Sequence, residues 1–124
     1  MKASDLVTVW SAPDNSRLTA KQYSFRLPVH VAAKLAALEE MYPTKSRTQL
    51  VGDLLSAAIA DVERGFPFVQ GQLIGRLPDT GVEIFDNLGD GPRYQEAATK
   101  HYNEIEKEMG NESPAKLSFN CLHS

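Results

Sequence analysis

A chain of 124 residues, 42% hydrophobic and 23% charged, has the make-up of a soluble globular protein with one domain, or a small domain plus an extension. Its single cysteine excludes an intrachain disulfide framework, and no stretch approaches the roughly 18 consecutive apolar residues of a membrane span, so a soluble, cytoplasmic protein is expected. The formal net charge of -3 is unevenly spread: six bases stand against two acids between Arg17 and Arg47, and five against nine from Phe66 onward, a basic front and an acidic rear.

Residues 1–20 read as an arm. Leu6, Val7, Val9 and Trp10 form a short apolar patch, and residues 5–10 are a candidate strand. Residues 11–16, with Pro13, Asp14 and Asn15, have the composition of a turn or hinge. Either Trp10 anchors the arm to the body or to a partner protein, or the arm is partly disordered.

Residues 21–65 carry the clearest pattern. From Lys21 to Leu27 polar and apolar residues alternate, with Tyr23, Phe25 and Leu27 on one face and Gln22, Ser24 and Arg26 on the other, which predicts a half-buried strand. Pro28 ends it and suits the first position of a helix. Val31, Leu35, Leu38 and Met41/Tyr42 then recur at helical spacing until Pro43. Ser46-Arg47-Thr48-Gln49 fits a capping box, in which serine and glutamine satisfy each other's backbone donors, so a second helix begins there. Its apolar positions are Leu50, Val51, Leu54, Leu55, Ala58, Ile59 and Val62, a face wider than one neighbouring helix covers. Gly52 inside it costs about 1 kcal/mol relative to alanine, which suggests a close neighbour at that point. The helix ends near Arg64-Gly65, glycine supplying a left-handed closing residue.

Residues 66–110 read as an extension. Segments 73–77 and 82–85 flank Pro78-Asp79-Thr80-Gly81, a turn sequence that predicts a hairpin. Residues 86–91 read as a loop; their acids lack the regular ligand spacing of a calcium loop. Residues 92–109 predict a third helix with Tyr94, Ala97/Ala98, His101/Tyr102, Ile105 and Met109 inward, Glu104, Glu106, Lys107 and Glu108 on its solvated side, and Gly110 at its end. Residues 111–124 read as a flexible tail. Cys121 and His123 on that tail, with His30 and His101, make a poor metal site, and no metal or other cofactor is expected.

A lone strand needs a hydrogen-bonding neighbour and a cover for its apolar face, and no nearby segment offers a hairpin mate for residues 21–27. The simplest solution is a second copy of the chain, the two strands pairing antiparallel about a two-fold axis under the wide faces of the second helices. Folding and dimerisation would then be one event.

The order of strand, Arg-Leu-Pro, helix, short turn and Ser-led helix resembles the ribbon-helix-helix class of DNA-binding proteins, the class of the Arc and MetJ repressors. The likeness is carried by Tyr23-Ser-Phe-Arg-Leu-Pro28, by Val31, Leu35 and Leu38, and by Ser46-Arg-Thr-Gln-Leu-Val51 with Leu54-Leu55, about a third of the chain. It implies a mostly α fold with a short β ribbon, an intertwined homodimer whose two-stranded ribbon enters the major groove of double-stranded DNA. It also implies that Gln22, Ser24 and Arg26 contact bases; arginine suits guanine and glutamine suits adenine, each through a bidentate bond. Lys21, Lys45, Ser46, Arg47 and Thr48 would hold phosphate, partly through the free N–H groups and positive dipole at the start of the second helix. Tyr23, Phe25, Leu27, Leu35, Leu38, Val51, Leu54, Leu55 and Ile59 would form the dimer core.

The function expected is that of a sequence-specific transcriptional regulator, most simply a repressor, with dimers able to stand side by side on DNA. One alternative keeps the DNA-binding front and makes the chain an antitoxin whose residues 66–124 hold a toxin protein; another makes the ribbon an oligomerisation device and residues 66–110 a protein adaptor. No enzyme is expected, since neither a nucleophile elbow, nor a phosphate-binding glycine loop, nor a metal-spaced His/Cys cluster is present.

Overall fold

The computed structural model describes residues 3–9 and 17–123. After a 3-10 turn at Ala3–Asp5 come α1 (Leu6–Val9), α2 (Val29–Met41), α3 (Arg47–Arg64), β1 (Gln70–Arg76), β2 (Glu83–Asn87) and α4 (Asp90–Glu108). The described residues thus form a small mixed α/β chain with three long helices and a two-stranded antiparallel sheet. Among them no helix is long and apolar enough to cross a membrane. The chain divides into two compact units, Met1–Ile59 and Ala60–Ser124.

In the first unit the arm is helical where a strand was expected at 5–10. The reason is Leu6, which is 2% exposed in a cluster with Leu50 and Ala57, with Leu35, Leu38, Tyr42 and Leu54 packed around it. A single helical turn can bury one leucine while bonding its own backbone, whereas a strand there would need a mate. Trp10, the expected anchor, and the 11–16 hinge lie outside the described residues.

Pro28 stands one position earlier than the sequence suggests: with ψ 147 it is still extended and serves as the N-cap of α2, its carbonyl accepting the Ala32 N–H at 2.9 Å. At the other end the Tyr42 N–H reaches the Leu38 carbonyl at 2.9 Å before Pro43 stops the helix. The capping box forms as expected, with the Gln49 N–H donating to Ser46 Oγ at 3.1 Å and the Ser46 N–H to Gln49 Oε1 at 2.9 Å.

Along α3 the apolar face splits. Leu50, Leu54 and Ala57 turn toward the Leu6 cluster, while Leu55, Ile59 and Val62, about a third of a turn away, stay exposed. A Cβ at Gly52 would meet nothing within 4 Å, so no close neighbour within the chain explains that glycine. Gly65 follows the last residue of α3, its N–H bonded to the Val62 carbonyl at 3.0 Å, but without a positive φ; among the described residues only Gly81 and Gly110 have one. The left-handed closure expected at Gly65 is instead found at Gly110.

The second unit contains the expected hairpin, with longer strands. Gln70 pairs with Asn87, Leu73 with Phe85 and Arg76 with Glu83, and the Leu77 N–H bonds the Val82 carbonyl at 2.9 Å beside Gly81 at φ +69. The loop expected over 86–91 shrinks to Leu88 and Gly89. Asn87 Oδ1 causes this by accepting the N–H groups of Val69 at 3.1 Å and Gly89 at 2.9 Å, which ties the end of β2 to the start of the hairpin and lets Asp90 and Gly91 open α4.

On α4, Tyr94, Ala98, Tyr102 and Ile105 are half-buried, while Ala97 and His101 of the expected stripe face outward. Gly110, at φ +87, lets the Asn111 N–H fold back onto the Glu106 carbonyl at 2.8 Å and places its own N–H on Lys107 at 3.0 Å, a Schellman closure. Glu106 is therefore buried, contrary to its expected place on the solvated side, and accepts Asn111 Nδ2 at 2.7 Å.

Along its described length the tail forms no helix or strand but returns to the rest of its unit. Glu63, only 6% exposed near the end of α3, accepts the Tyr94 hydroxyl at 2.6 Å on one oxygen, and the Asn120 N–H at 2.9 Å and Nδ2 at 3.1 Å on the other. Tyr94 in turn packs against Phe66 and meets Phe119 edge-on, with ring centroids 5.1 and 5.7 Å apart. Tyr102 donates to the Ala115 carbonyl at 2.8 Å, and the His123 carbonyl lies so close to Gly91 that a Cβ there would sit 2.9 Å from it.

Burial pushes the Glu63 carboxyl up, but the bonds from Tyr94 and Asn120 outweigh it and hold the group below its ordinary value of 4.5. The Tyr94 hydroxyl is pushed up to about 12, first by burial and then by its bond to that carboxylate. Glu63 thus contributes full stability above 4.5, lost as pH falls through its lowered value; Tyr94 contributes fully below 10.0, lost as pH rises toward about 12. The protection factor at Asn120, the amide exchange rate of an unfolded chain divided by its own, should accordingly be highest between these limits and fall at both ends, and Glu63→Ala should cost about 2 kcal/mol in a urea titration while releasing residues 111–123 to protease. Protection at Asn120 unchanged in Glu63→Ala would contradict this account of the tail.

Candidate nucleic-acid interface

Residues 22–28 belong to no helix or strand, so the strand expected over 21–27 does not form within the single chain; among the described residues the only strand pairing is β1 with β2. The Tyr23 and Phe25 rings lie parallel, 7° apart in plane with centroids 6.5 Å apart. That separation is the repeat of two residues on an extended backbone, and it places both rings on one face. Gln22, Ser24 and Arg26 alternate with them along the sequence, all three exposed, as is Lys21. The Lys21 carbonyl accepts Thr19 Oγ1 at 2.8 Å.

The apolar face is bare as well. Tyr23 is 56% and Phe25 70% exposed, and Leu27, Leu55 and Ile59 are also open. Of the expected dimer-core residues, Leu35, Leu38 and Leu54 are partly buried against Leu6, Leu50 and Ala57, and Val51 is half-buried. Within one chain the nine are therefore divided: three pack against the arm's cluster, and five remain exposed.

The capping box gathers Ser46, Arg47 and Thr48 at the start of α3. Gln49's N–H is taken by Ser46, while those of Arg47 and Thr48 belong to the first turn, ahead of any intrahelical carbonyl. Ser46, Arg47 and Thr48 are exposed and Lys45 is half-buried. An anion reaching this corner would meet two backbone donors, the positive end of the helix and a basic side chain.

Glu39 changes the electrostatics there. Arg47 Nε bonds Glu39 Oε1 at 2.6 Å, and Nη2 lies 3.4 Å from Oε2. The bond to Glu39, and then its charge, raise the pKa of the guanidinium. From the sequence, Glu39 reads with Glu40 as a solubilising pair; instead it reaches across the α2–α3 turn to the one arginine at the helix start. Eight residues separate them, a distance that helical spacing within one element cannot predict. Among the described residues no three His, Cys, Asp or Glu side chains converge as metal ligands would.

Compared with protein-family models, with curated proteins and with solved structures, the chain has no significant match.

Because Arg47 is largely exposed, its pair with Glu39 is screened and readily broken, and Glu39→Gln should leave the melting temperature nearly unchanged. Ser46→Ala removes a cap and should cost about 1 kcal/mol, read as a lower urea midpoint at constant slope. A larger loss from Glu39→Gln than from Ser46→Ala would invert the ranking of the two contacts.

Proposed function

We propose that the chain is a homodimeric, sequence-specific double-stranded DNA-binding regulator, most simply a cytoplasmic repressor. Two copies of residues 21–27 pair as an antiparallel ribbon that enters the major groove. The observation that carries this reading is the 22–28 segment, which lies in no helix and beside no described strand, with the Tyr23 and Phe25 rings parallel and exposed and Gln22, Ser24 and Arg26 exposed in alternation with them. Backbone donors and acceptors in such a row require a partner, and a second copy supplies one by symmetry. A bonded ribbon would seat Tyr23, Phe25 and Leu27 against the open Leu55 and Ile59 faces of α3 and present the polar side chains outward.

The charge distribution supports the same reading. The surplus of four positive charges between Arg17 and Arg47 doubles in a dimer, and Lys45, Ser46, Arg47 and Thr48 would fix register through phosphate while the ribbon reads bases. A protein-binding role for residues 66–110 is favoured by a separate observation, the exposure of Leu73, Ile74, Val82, Ile84 and Leu88 along the hairpin. That role is compatible with DNA binding by the front and corresponds to the extension of an antitoxin or adaptor.

Selection from a random duplex pool at stated salt should yield a site with two-fold symmetry. At that site Arg26→Ala should lose at least tenfold in affinity and relax preference at one base pair, whereas Arg47→Ala should weaken all duplexes alike and reduce the salt slope by about one. Equal affinity of parent and Arg26→Ala for the selected site would refute the groove face, and failure to enrich any duplex would refute the function.

A further inference from the structure

Leu6 is the most buried residue of the arm and sits against Leu50, which is 0% exposed, within a ring formed by Leu35, Leu38, Tyr42 and Leu54. Three of the ring residues, Leu35, Leu38 and Leu54, belong to the surface that a second chain would need to bury. We propose that the arm is an intramolecular plug: Leu6 fills the groove between α2 and α3 in the single chain and competes with a second copy of the chain for it. The proposal rests on the dimeric reading above, and the second copy is the occupant it commits to.

The geometry explains why such a plug would be reversible. A helix of four residues has no stability of its own, so α1 persists only while Leu6 is seated. Moreover, the plug covers only part of the apolar surface. Leu55, Ile59 and Val62 on α3, and Tyr23, Phe25 and Leu27 on the 22–28 segment, stay exposed with Leu6 in place. A second chain can cover both parts and also bond the backbone of residues 22–28, beside which no described strand lies. The arm has the advantage of being tethered, and that advantage is independent of protein concentration. The partner's advantage grows with concentration, and DNA would add to it by holding two chains together. The chain would therefore pass from a plugged monomer to an open dimer over a concentration range set by Leu6.

Sedimentation of the full chain without DNA tests this. Leu6→Ala should dimerise at least tenfold more tightly than the parent, with helix content by circular dichroism lowered by no more than the four residues of α1. Should that variant fold poorly, a Leu6→Cys, Leu54→Cys pair on a Cys121→Ser background locks the plug when oxidised. The oxidised form should stay monomeric at concentrations where the reduced form dimerises. Unchanged or weaker dimerisation of Leu6→Ala, an oxidised form that dimerises like the reduced one, or chains that remain monomeric throughout would each overturn the plug. A dimer that tightens as described but enriches no duplex would leave the plug standing and remove the DNA-binding function.

Discussion

A segment with no strand beside it among the described residues is the constraint on which the first half of this chain depends. Residues 22–28 lie outside every helix and strand, and Tyr23 and Phe25 stand largely in water along them. Among the described residues of the first unit the buried apolar ones are Leu6, Leu50 and Ala57, a small core beside the exposed apolar surface around it. The missing burial has an obvious source in the open faces of α3 and the 22–28 segment. The proposed dimer answers both deficits at once, because the same symmetry operation that pairs the strands covers the rings.

The second unit solves its packing problem differently. Its centre is the Glu63 carboxylate, which would be costly to bury alone but is stabilised by three donors from α4 and the tail. Tyr94 supplies one of them and also carries the aromatic contacts to Phe66 and Phe119, so a polar anchor and an apolar patch share one side chain. This unit therefore closes within a single chain, unlike the ribbon segment. The hairpin is the exception, since several of its large apolar side chains remain exposed.

Local signals read well. The capping box at Ser46 and Gln49, the stops at Pro43 and Gly110, the Gly81 turn and the three long helices each follow from residues within a few positions of one another, and each appears where the sequence places it. The alternation in residues 21–27 forms no strand within the single chain, although its Tyr23 and Phe25 rings do lie parallel. What could not be read were contacts between distant residues. Glu39 looked like surface charge because its partner Arg47 lies across a turn; Glu106 looked solvated, and nothing near Glu63 marked it for burial, because Asn111 and Asn120 return to them from a segment whose polar composition suggests fraying.

By itself, then, the amino-acid order determined the lengths and ends of the three long helices and the hairpin turn. These rest on backbone sterics, caps and periodicity, which act over a few residues. Only the tertiary structure decided that Leu6 becomes helical to fill a groove, that the tail docks on Glu63 and that Arg47 shares its charge with Glu39. Burial energy and hydrogen-bond satisfaction depend on which distant groups meet, and no local pattern in the chain encodes those meetings.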